Sequence, residues 1–109
     1  MNFDDLAALP FEEFDAIMRS TVVVDYDSQG DVLYVRRSDA RVTNSNEAPS
    51  DGYLILSNDA TGAIVAAKLM AASEMPVAFW PTHPDRELIP LDLRAEMDVW
   101  VRANGRGAA

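Results

Sequence analysis

Asp25, Asp27 and Gln29 alternate oxygen-bearing side chains and are followed by Gly30, which resembles the opening of a calcium loop. Such a loop needs spaced oxygens to wrap a hard cation and a glycine to turn the chain around it. Its twelfth position requires a bidentate glutamate, and here that position is Arg36. The flanking segments read as strands rather than helices. The same turn is written again thirty-two residues later, with Ser57, Asp59, Thr61 and Lys68 in the corresponding places. Asp27 and Asp59 are therefore assigned to turns, and no metal is expected.

Other reactive groups are as thinly placed. His83, the single histidine, sits in Pro81-Thr82-His83-Pro84-Asp85, and a Ser-His-Asp arrangement needs it to meet a serine such as Ser20 or Ser73. No Gly-x-Ser-x-Gly elbow positions one, so a surface or capping histidine is expected. Glu12-Glu13 and Asp4-Asp5 are paired carboxylates, but they fall at an expected helix start, where they complement its positive end. Glycines occur only at 30, 52, 62, 105 and 107, which leaves no phosphate cradle. Without cysteine there is no thiolate zinc site, thiol nucleophile or disulfide. The expectation is a chain with no catalytic residues and no cofactor.

Charge points toward partners instead. Of a net −9, residues 1–35 carry eight acids against Arg19 alone, whereas residues 36–109 carry ten acids and eight bases. Direct nucleic-acid binding is disfavoured, because it draws on clustered Lys and Arg. A basic protein partner suits the acidic first third. Its expected contacts are Asp4, Asp5, Glu12, Glu13 and Asp15, with Phe79 and Trp80 as aromatic anchors. The preferred reading is a non-catalytic, antitoxin-like or inhibitor-like protein that restrains such a partner. One alternative is a phage-type inhibitor that imitates nucleic-acid charge against a bacterial defence complex. Another is a structural homo-oligomer. The acidic N-terminus lacks a signal-peptide pattern and no stretch is long enough for a membrane span, so a prokaryotic or phage protein of the cytoplasm is expected.

The elements that must carry these residues follow from periodicity. Phe11, Phe14, Ile17 and Met18 recur at helical spacing after Pro10, predicting a helix over 10–19. β-rich runs follow at 21–26, 32–37, 53–57 and 64–70, with a Ser/Asn/Asp/Pro-rich loop over 38–51. Both turns have Asp first and Gly fourth, fitting a type I turn closed by a glycine bulge. Four antiparallel strands in meander order are expected. If each glycine opposes its turn's Asp, then Tyr26 faces Val32, and Val22, Val24, Tyr26, Val32 and Tyr34 share one side, with Val23, Leu33 and Val35 on the other. Both sides are apolar, so each needs a cover, from a terminal helix or from a second copy as a homodimer through one sheet face. Pro76, Pro81, Pro84 and Pro90 make 74–90 an extended wrap. Leu93, Met97, Trp100 and Val101 then predict a helix over 91–103, stopped by Asn104-Gly105 and followed by a frayed tail.

The expected fold class is thus α+β: one domain over 1–109, with an N-terminal helical segment (1–20), a four-stranded core (21–73), the wrap (74–90) and a C-terminal helix (91–104), both helices packed on the sheet.

Tyr26-Asp27-Ser28-Gln29-Gly30-Asp31-Val32-Leu33-Tyr34-Val35 resembles domain-of-unknown-function family 2283, a group of short prokaryotic domains. Their pattern is Tyr-Asp, a short turn, then Asp, two apolar residues and an aromatic. Gly52-Tyr53-Leu54-Ile55-Leu56, the Asp59 to Gly62 turn, Ile64-Val65 and Ala71-Ala72-Ser73 extend the match over residues 22–73. The chain departs from it at Ala66-Ala67-Lys68-Leu69, where the family tends to have Gly-Ile-Glu-Ile. The resemblance implies a β-rich fold and carries no catalytic residue.

Overall fold

The computed structural model describes residues 21–50 and 52–108; the expected helix over 10–19 lies outside them. Five strands form one antiparallel sheet: β1 (Val22–Asp27), β2 (Val32–Arg37), β3 (Asn44–Glu47), β4 (Leu54–Asn58) and β5 (Ile64–Met70). Their spatial order is β1-β2-β5-β4-β3, which corrects the expected four-stranded meander. The two hairpins join through β2 and β5, and the long connection after β2 crosses to the far edge, a Greek-key arrangement. β3 arises inside the segment read as a loop. All four of its residues, Asn44-Ser45-Asn46-Glu47, are exposed, so no apolar alternation announces it. Backbone pairing to β4 and a 2.7 Å bond between the Ser45 and Ser57 hydroxyls hold it.

The two turns differ despite their likeness in sequence. At the second, Gly62 adopts φ 89° and Asp59 Oδ1 accepts from the Thr61 and Ala63 amides, as the turn chemistry requires. At the first, the left-handed residue is Asp31 (φ 53°) rather than Gly30. The loop lengthens by one residue, and Tyr26 pairs with Leu33 and Val24 with Val35. Such a slip turns over every side chain of β2 relative to β1. The expected face sets are corrected accordingly: Val22, Val24 and Tyr26 share a side with Leu33, Val35 and Arg37, and through them with Ala67, Leu69, Leu54 and Leu56.

That side is the core. Helix α1 (Leu91–Asn104) lies across it with Leu93, Met97 and Val101 buried against Leu33, Val35, Leu54 and Leu69. Each fully buried Leu or Met adds about 1.5–3 kcal/mol relative to exposure. Arg37 forks onto Asp92 at 2.8 and 3.0 Å, and Tyr26 stacks on Trp100 with ring centroids 4.8 Å apart. The prolines do bar a long helix from the wrap, but a 3-10 turn at Ala72–Glu74 leads into it and it folds into two more, at Trp80–Thr82 and Arg86–Leu88, contributing Met75, Trp80 and Ile89 to the core. The tail is tied rather than frayed. Arg106 N donates to Met75 O at 2.8 Å, and Val77 N to Arg106 O at 2.9 Å.

Candidate functional site

Neighbouring residues in a 3-10 turn point in divergent directions, and this separates the two expected anchors. Trp80 is 2% exposed, with its indole N–H donating to Asp98 at 2.7 Å, so it is a core plug and not a partner contact. Phe79 is 44% exposed. It walls a cleft of about 340 Å³ with Tyr53, Met70, Ala71, Glu74, Met75 and Pro76. Asp4, Asp5, Glu12, Glu13 and Asp15 lie outside the described residues. Sequence reasoning passed over Tyr53, which is 53% exposed and stands beside Phe79 in the cleft lining. Its available signal was the placement of an aromatic directly after Gly52, at a strand's start.

The cleft opens at one end of the sheet's second face. Strand register places Asp27, Val32 and Met70 in one row there, with Tyr53 leading into it through its carbonyl, which accepts from Met70 N at 2.7 Å. The next row is Asp25, Tyr34, Lys68, Ile55 and Glu47, and the third is Val23, Arg36, Ala66, Ser57 and Ser45. Lys68 Nζ lies 5.5 Å from the centre of the Tyr34 ring. The described helix and turns gather on the Leu33 side, and no described helix lies across this one. Val23, Tyr34, Ile55 and Met70 are only half-buried. The result is a mixed face, with Val23, Tyr34, Ile55 and Met70 interleaved with the Arg36 and Lys68 cations and carboxylates at both margins, Asp25 and Asp27 on β1 and Glu47 on β3.

Clusters that might have done chemistry are occupied structurally. His83 is 2% exposed, which corrects the surface half of the expected surface or capping histidine, and its Nδ1 caps a backbone amide by accepting from Asp85 N at 3.1 Å. The Asp85 carboxylate takes the Ser50 amide at 3.0 Å and the Ser50 hydroxyl, tethering the β3–β4 loop. Serine, aspartate and histidine thus meet, but the serine is bonded to the carboxylate, which is the wrong order for acyl transfer.

A second network joins the turn after β1 to the end of β5. Tyr26 Oη donates to Asp31 at 2.6 Å, and Ser73 donates its amide at 2.9 Å and hydroxyl at 2.7 Å. Desolvation works to raise the Asp31 carboxyl, but these bonds outweigh it and hold the group below its usual range. The bond to Asp31 raises the Tyr26 phenol. A groove of about 830 Å³ between the β2–β3 connection and the Asp59 turn is lined by charges of both signs, including Arg37, Arg41, Asp59 and Asp92. Its principal pair is closed on itself: Asp92 raises the Arg37 guanidinium, and Arg37 lowers the Asp92 carboxyl.

Among the described residues no three His, Cys, Asp or Glu side chains are grouped to hold a metal, and no helix is long and apolar enough to cross a membrane. No protein-family model, curated protein or solved structure matches the chain.

Proposed function

We propose that this chain is a small acidic binding protein, without catalysis of its own, that recognises and restrains a basic protein partner. The observation that carries this reading is the second sheet face: Val23, Tyr34, Ile55 and Met70 interleaved with Arg36 and Lys68, margined by Asp25, Asp27 and Glu47, with no described helix across it. Aromatic and aliphatic centres with charged rims are the usual anatomy of a protein contact. The net charge of −9 favours basic partners by steering their approach.

Charge placement also argues for an unlike partner over a second copy. A symmetric face-to-face pair with its axis along the strands lays β1 over β3 and so Asp25 near Glu47. With the axis across the strands, β1 lies over β1 and Asp25 near Asp25. Either way carboxylates oppose each other and Lys68 approaches Lys68, which is unfavourable. The resemblance of residues 22–73 to a family of unknown function adds no reaction to this reading.

The test is capture by the full chain from its native host at low and moderate salt, beside a variant carrying Tyr34→Glu and Ile55→Glu. A stoichiometric basic protein, released by salt and not retained by the variant, is the expected result. Capture of nothing at any salt, or retention equal in both chains, overturns the proposal.

A further inference from the structure

We infer that the cleft between Tyr53 and Phe79 receives a single lysine or arginine side chain. Its volume of about 340 Å³ is at the small end of the range of ligand sites and leaves room for one long side chain. The lining sorts into two kinds of chemistry. Met70, Met75, Pro76 and Ala71 offer apolar surface for a methylene stem, while Tyr53 and Phe79 add aromatic side chains of the kind that attract cations, Phe79 also meeting the His83 ring edge-on with centroids 5.6 Å apart. Among the described residues Glu74 carries the one charge of the lining, and it is exposed.

Electrostatics then choose between occupants. An anionic group would meet the Glu74 carboxylate. A purely aliphatic one would leave the Glu74 carboxylate without a partner of opposite charge. A cation on an apolar stem satisfies both halves of the site. The molecule already makes this contact nearby, where Lys68 sits over the Tyr34 ring on the adjoining face. The inference rests on the binding-protein reading and gives it a residue-sized anchor, but its test requires no partner.

The probes are Nα-acetyl-lysine methylamide and its arginine counterpart, titrated into the isotopically labelled full chain and followed by amide shifts. Blocked norleucine is the uncharged control. Shifts centred on Tyr53, Ala71, Glu74 and Phe79 are expected with both cations, with norleucine binding about 2- to 30-fold more weakly. Phe79→Ala and, independently, the exposed Glu74→Gln should each weaken the cations several-fold while leaving remote amides in place. Norleucine binding as tightly as lysine, shifts centred elsewhere, or no shifts at the limit of probe solubility overturns the inference. The two readings fail separately. A chain that captures a basic partner yet ignores blocked lysine removes only the cleft assignment, and one that takes lysine but captures nothing removes only the partner.

Discussion

Asp31 is held in a backbone conformation that favours glycine, and its side chain explains how a non-glycine residue stays there. Left-handed φ costs an L-residue roughly 1–2 kcal/mol, less for Asp, whose short polar side chain can bond locally. Here that side chain takes three bonds, from Tyr26 and Ser73, while its carbonyl accepts from Ala72 N at 2.9 Å. Asp31→Ala removes the side-chain bonds and keeps the strain, so a loss of about 2–3 kcal/mol is expected in urea unfolding. Asp31→Asn retains an acceptor and a tolerance for the conformation and should lose about half as much. The acid limb gives an independent measure. Because the folded carboxyl is lowered, its contribution is complete above the unfolded value of about 3.9 and disappears as pH falls through the lower folded value. The Asn variant should therefore lose less stability than the wild type over that interval; identical acid limbs would refute the assignment. The turn role of Asp59 was legible in its spacing to Gly62, which takes the positive φ, whereas at Asp27 the same spacing marked a turn but not its length. The special role of Asp31 was not, because Gly30 beside it is the residue that local rules select for positive φ.

At the scale of elements, legibility followed burial pattern. Helix α1 was readable within a residue because its apolar spacing and its Asn104-Gly105 stop agree. β3 was invisible because an exposed edge strand needs only backbone partners. The wrap departs from expectation in another way: its prolines predict an extended segment, yet 3-10 turns accommodate them while delivering Trp80 and Ile89 inward.

Two predictions belong here. Trp80 lies over a salt bridge in which Arg86 meets Asp98 at 2.5 and 3.0 Å. Desolvation pushes the Asp98 carboxyl up, but Arg86 and the indole N–H outweigh it and lower it. Trp80→Phe should cost about 1–2 kcal/mol for the lost donor and volume, and Trp80→Ala about 3–5, read from denaturant midpoints. Gly105 closes α1 where an added Cβ would lie 2.6 Å from Met75 O and 2.7 Å from Val101 O, both backbone atoms. Gly105→Ala must force these segments apart. A loss of about 2 kcal/mol is expected, together with faster hydrogen exchange at the Val77 and Arg106 amides. Unchanged exchange at those two amides would show the tail to be held by something else.

For the whole molecule, the sequence shows apolar residues on both sheet faces but not which residues belong to each. That assignment hangs on one residue of turn length, which no composition or periodicity fixes. Once Leu33 and Val35 join the α1 side, Tyr34 falls to the other, and the two faces carry different consequences for mutation. Leu33→Ala opens a cavity in a closed core and should cost about 2–5 kcal/mol. Ile55→Ser and Tyr34→Ser change half-buried residues on a face that no described helix crosses, and each should cost no more than about 1 kcal/mol. If the second face is a working surface, the same two serine substitutions combined should weaken capture of a basic partner by an order of magnitude or more while the thermal midpoint falls only modestly. Stability and binding are then separable on opposite sides of one sheet. Equal destabilisation from Leu33→Ala and Ile55→Ser would instead mean that the second face is interior in the folded chain, and the partner would have to be sought at the Tyr53–Phe79 cleft alone.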